Sequence, residues 1–118
     1  MGHAFLTFDN ITSSTYLIGD YTIKSHESIS VGTWPQSITG YSGVCYNFET
    51  YYMNVEKHSS TVYLKTSLTY SDLSTLNNVI KSSDNWELFT NCSTFATKVW
   101  NSVSSTQVNA GMVNTPQI

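Results

Sequence analysis

Two cysteines and three histidines carry the clearest nucleophilic chemistry in this sequence, and their settings differ. Cys92 stands in Thr90-Asn91-Cys92-Ser93-Thr94-Phe95-Ala96, where a polar stretch gives way to apolar residues at helical spacing. The first turn of a helix offers N–H groups without intrahelical partners and the positive end of the dipole. Both favour the thiolate, the form of cysteine that attacks a carbonyl. Cys45 lies instead inside the aromatic stretch Val44-Cys45-Tyr46-Asn47-Phe48 and reads as a small buried hydrophobe. A Cys45–Cys92 disulfide is the other reading of the pair, because two cysteines in a Ser/Thr-rich chain also suit an exported domain.

A thiolate nucleophile needs an imidazole to take its proton. His26, in Lys24-Ser25-His26-Glu27-Ser28, and His58, in Glu56-Lys57-His58-Ser59-Ser60, sit in polar, turn-like settings and read as solvated. His3 follows Gly2 and precedes Ala4-Phe5-Leu6, so it heads an apolar strand. Cys92 as nucleophile and His3 as general base are the expected pair. No Cys-x-x-Cys or His-x-x-x-His spacing points to zinc, and no metal or other cofactor is expected. Nothing selects a catalytic pair among the eight acids, and no Gly-rich phosphate loop is present.

The elements that would position these residues follow from periodicity. Residues 4–8 and 15–23 are rich in β-branched and aromatic types, with turn formers between them over 9–14, and read as a hairpin. Ser28-Ile29-Ser30-Val31-Gly32-Thr33-Trp34 alternates polar and apolar side chains up to Pro35 and predicts a third strand. A Gly/Ser-punctuated loop spans 36–43, and further strands are expected over 44–52 and 61–66. From Tyr70 the period changes. Ser71 can cap a helix carrying Leu73, Leu76, Val79 and Ile80, and a second helix from Asn91 would bury Phe95, Ala96, Val99, Trp100 and Val103 with Lys98 outside. Strands first and helices second define an α+β domain.

The 118 residues are 40% hydrophobic and only 11% charged, which fits one globular domain over 1–118. Ser, Thr and Asn make up 44 of the 118, in the manner of exported β-rich proteins. All five bases are Lys and none cluster, which argues against nucleic acid as a partner. No apolar run reaches the length of a membrane span, and no Lys-led apolar segment opens the chain. With His3 so near the first residue, and the end Asn114-Thr115-Pro116-Gln117-Ile118 reading as unfinished, the expectation is a monomeric domain excised from a longer protein.

Taken in order, Gly2-His3-Ala4-Phe5-Leu6-Thr7-Phe8 and Asn91-Cys92-Ser93-Thr94-Phe95-Ala96 resemble the circularly permuted branch of the NlpC/P60 papain-like superfamily, which includes lecithin:retinol acyltransferase relatives. That branch carries its His strand before its Cys helix. Ser30-Val31-Gly32-Thr33-Trp34 also resembles a strand of small exported Gram-positive proteins with a similar beginning and end. The resemblance implies a papain-like fold, an antiparallel sheet of about five strands followed by two helices, with the nucleophile at the start of the last. It implies a secreted or cell-surface bacterial cysteine hydrolase acting on an amide bond in peptide, peptidoglycan or protein. Acyl transfer to a lipid or small molecule is the alternative on the same fold, and a non-catalytic binding module closed by the disulfide is another. In this family a third polar residue orients the imidazole. A hairpin turn centred between Ile11 and Thr12 would set Asp20 opposite His3. Lecithin:retinol acyltransferases place a second His there, which disfavours their chemistry in this chain. The Cys92 N–H would supply the oxyanion donor, with Asn91 either contributing or serving only as the helix cap. Trp34, Tyr46, Tyr51 and Trp100 are candidates to line a groove.

Overall fold

The computed structural model describes residues 4–49, 66–86 and 91–105. His3, His58, Tyr51 and nearly all of the strand expected over 61–66 lie outside them. Strands come first and two long helices last, so the domain is α+β with antiparallel sheets, in the order the sequence predicts.

The strands are β1 (Leu6–Asp9), β2 (Tyr16–Ile18), β3 (Tyr21–Ile23), β4 (Ser28–Trp34) and β5 (Gly43–Tyr46). They do not pair as a hairpin of 4–8 with 15–23. β4 is the centre of a three-stranded sheet of order β1-β4-β5, with Leu6 opposite Val31 and Thr33 opposite Val44. The stretch 15–23 folds back on itself as the hairpin β2-β3, a separate two-stranded sheet. Gly19, at φ 61°, makes that turn possible, and a side chain at this position would overlap the Tyr46 hydroxyl.

Buried Asn10 stands where the expected turn would be. Its amide nitrogen donates to the Ser14 carbonyl at 2.8 Å and faces that of Lys24 at 3.1 Å, while its Oδ1 accepts from Thr12 N–H at 3.1 Å. Its backbone N–H donates to Glu27 O and its carbonyl accepts from His26 N–H. These bonds tie the chain after β1 to the β3–β4 turn and leave β1 beside β4.

Pro35 ends β4, and the expected loop over 36–43 contains a single helical turn, α1 (Gln36–Thr39), closed by Gly40 at φ 85°. The first long helix, α2 (Tyr70–Ser82), is capped by Thr69 rather than Ser71. The Thr69 hydroxyl accepts from Asp72 N–H while the Asp72 carboxylate accepts from Thr69 N–H, a reciprocal pair that satisfies two donors at the helix start. The second long helix, α3, runs Cys92–Val103.

Ile18, Ile23, Ile29 and Val31 from the strands meet Leu76 and Ile80 of α2 and Phe95 and Val99 of α3 in one buried cluster. Leu6, Phe8 and Tyr46, cross-strand partners of Val31 and Ile29, pack against it. β4 is buried at every position after Ser28, including Ser30 and Thr33. The polar–apolar alternation therefore does not mark a wet face here; small residues fill the second side of a strand covered on both. Asn77 anchors α2 to the hairpin, accepting from Gly19 N–H at 2.7 Å and donating to Leu17 O at 2.9 Å.

Candidate active site

Asn91 fixes the start of α3. Its backbone is extended, at φ −98° and ψ −163°, and its side-chain oxygen accepts from Ser93 N–H at 3.1 Å and Thr94 N–H at 3.5 Å. Its carbonyl accepts from Phe95 N–H at 3.1 Å. Asn91 is thus the N-cap. Cys92 is the first residue of the helix and is half-buried. Phe95, Ala96 and Val99 are buried, Trp100 and Val103 half-buried and Lys98 exposed, as the apolar stripe requires.

Cys45 has another environment. It lies in β5 opposite Gly32, and its thiol faces Thr39 Oγ1 at 3.7 Å and Gly43 O at 3.8 Å. Burial pushes this thiol above its ordinary pKa, with the Thr39 hydrogen bond acting in the opposite direction. Among the described residues there is no disulfide, and both cysteines are thiols.

Asp20 is exposed beside Gly19 in the β2–β3 turn, where its backbone N–H donates to the Tyr46 hydroxyl at 2.9 Å. β1 pairs with β4 and not with the Asp20 hairpin, so the register that nominated Asp20 as the partner of His3 does not form. His26 is exposed in a turn at φ 61°, in keeping with a solvated residue. Among the described residues no cluster of three or more His, Cys, Asp or Glu has metal-site geometry, and no helix is long and apolar enough to cross a membrane.

Glu49, which no motif or periodicity singles out, is 1% exposed and accepts from Trp34 Nε1 at 2.6 Å. Phe48 packs edge-on against the same indole, with ring centroids 4.7 Å apart. Trp34 is accordingly a buried residue holding a carboxylate and not the wall of an open groove; Tyr46 and Trp100 are half-buried. Comparison with family models, curated proteins and solved structures finds no match to this chain.

Proposed function

We propose that the protein is a cysteine hydrolase that cleaves an amide bond through a thioester on Cys92, on a papain-like fold of permuted order. The observation that carries this reading is the thiol at the first position of a capped 12-residue helix docked on the sheet. His3 takes the thiol proton and sulfur adds to the substrate carbonyl carbon. The resulting oxyanion is met by the Cys92 N–H at the helix start. Collapse breaks the C–N bond, and the amine leaves with the proton held by His3. Water, deprotonated by the same imidazole, then opens the thioester, releases the acid and restores the thiol. Asn91 supports this sequence by holding the helix start. The register that nominated Asp20 does not form, so no role is assigned to it here.

The resemblance of the two motifs supports peptide or protein of the bacterial cell surface as the substrate class, with the enzyme acting outside the cell. Incubation with p-nitrophenyl acetate followed by acid quench is expected to leave an acetyl group on the peptide containing Cys92. Hydroxylamine should remove it, and Cys92→Ser should abolish it. No adduct, or one shared equally with Cys45, contradicts the proposal. Transfer of the acetyl group to an added amine in preference to water would instead favour the acyltransferase alternative.

A further inference from the structure

The β2–β3 hairpin and the first half of α2 border a groove of about 420 Å³. That volume is within the range of roughly 300–1,000 Å³ occupied by small-ligand sites. Tyr70, Leu73, Ser74 and Asn77 line one side, spaced i, i+3, i+4, i+7 and so on one face of α2. The hairpin supplies Tyr16, Leu17 and Thr22, and Thr15 precedes it. Cys92 belongs to the other end of the helix pair: Asn91 and buried Ser83, the residue after α2, border a common cleft. A 13-residue helix is about 20 Å long, so the groove and the thiol lie toward opposite ends of α2.

Two features set this groove apart. Tyr70 is 80% exposed and Leu17 53%, so large apolar side chains face water where no core accounts for them. Tyr16 meets the Tyr70 ring edge-on, with centroids 6.0 Å apart and 74° between planes, which braces that ring while most of it stays open. The polar part of the lining is hydroxyl and amide, from Thr15, Thr22, Ser74 and Asn77. Among the described residues, no protein group takes the three hydroxyls. Each can donate and accept at once, and these lining side chains carry no charge.

An open aromatic ring beside neutral hydroxyls complements a sugar, whose ring has an apolar C–H face and a hydroxyl-bearing edge. An extended peptide added to β2 suits the place less well. It would need the free backbone of that strand, and Asn77 already occupies it, donating to Leu17 O at 2.9 Å and accepting from Gly19 N–H at 2.7 Å.

We propose that this groove binds a neutral oligosaccharide, one ring stacked on Tyr70 and its hydroxyls bonded to Thr22, Ser74 and Asn77. Remote from Cys92, the site holds the protein on a glycan and does not position the bond to be cut. The inference stands or falls independently of Cys92 being the nucleophile.

Maltotriose, cellotriose and tri-N-acetylchitotriose, each titrated into the ¹⁵N-labelled whole chain, test it. At least one is expected to shift the amide signals of Leu17, Thr22, Ser74 and Asn77 saturably. Tyr70→Ala should weaken that binding about tenfold and Tyr70→Phe less than about threefold, because Phe keeps the stacking face. Thr22→Val, which deletes one exposed hydroxyl and keeps the shape, should weaken it about threefold. No saturable shift with any of the three, or undiminished binding by Tyr70→Ala, overturns the site. Shifts of the same signals by decaproline and by none of the saccharides would assign the groove to a peptide and overturn it equally. Saturating saccharide should leave alkylation of Cys92 by iodoacetamide unchanged, and a slowed reaction would contradict the separation of the two sites.

Discussion

The two cysteines lie in parts of the molecule built for different ends. Cys45 sits in a strand that closes the β1-β4-β5 sheet, beside a backbone carbonyl and a threonine hydroxyl, where burial favours the protonated thiol. Cys92 opens a helix whose first turn is held by an Asn cap, and the field of the helix N-terminus favours negative charge there. One chemical group can thus be structural or reactive according to whether its surroundings oppose or support ionisation. Under the proposed function, the contrast gives the sheet and the helix start separable roles, one stabilising and one catalytic.

The largest effect expected from breaking this contrast is on turnover. Cys92→Ala should lower the rate on a thioester-forming substrate on the order of a thousandfold, whereas Cys45→Ala should change it less than about twofold. Initial rates with p-nitrophenyl acetate decide this, and a comparable loss in both variants would erase the distinction. On the structural side, Trp34→Phe removes a donor from buried Glu49. It should cost about 2 kcal/mol in urea unfolding while leaving Cys92 alkylation unchanged. Asn91→Ala removes the cap and should cost about 1 kcal/mol. Because the lost cap loosens the turn that presents Cys92, its alkylation should also slow, with Cys45 unaffected.

The smallest effect is one of pH. Burial raises the Cys45 thiol and the Tyr46 phenol above their ordinary values. The folded chain therefore keeps protons that the unfolded chain would release. This contribution is present below the ordinary thiol range and is lost as pH climbs through and above it. The urea midpoint should accordingly fall on the alkaline side, and less steeply in Cys45→Ala. Alkylation of Cys45 in the folded protein should begin only there.

Local signals made part of this arrangement legible. The stripes Leu73-Leu76-Val79-Ile80 and Phe95-Ala96-Val99 locate both long helices, and Asn91 before Cys92 marks a helix start that the structure contains. Strand partnership is not local. The segments 4–8 and 15–23 are neighbours in sequence with turn formers between them, yet the Asn10 network and the positive φ at Gly19 direct β1 to β4 instead. Asp20 is nominated only by that pairing, so the difference in topology removes the register that singles it out. The cap of α2 shows the same limit on a smaller scale, since Thr69 and Asp72 form a reciprocal pair that a lone Ser71 did not suggest. Glu49 and Ser83 carry no pattern that distinguishes them from exposed residues of the same type. Their burial depends on what folds over them.

The central claim is that Cys92 is an activated nucleophile served by His3, and the rate of its alkylation by iodoacetamide near neutral pH tests it most directly. Site-resolved mass spectrometry should find Cys92 reacting at least about tenfold faster than a model cysteine peptide, with Cys45 unmodified and the advantage lost in His3→Ala. A Cys92 no faster than the model thiol, or one indifferent to His3→Ala, would contradict the account.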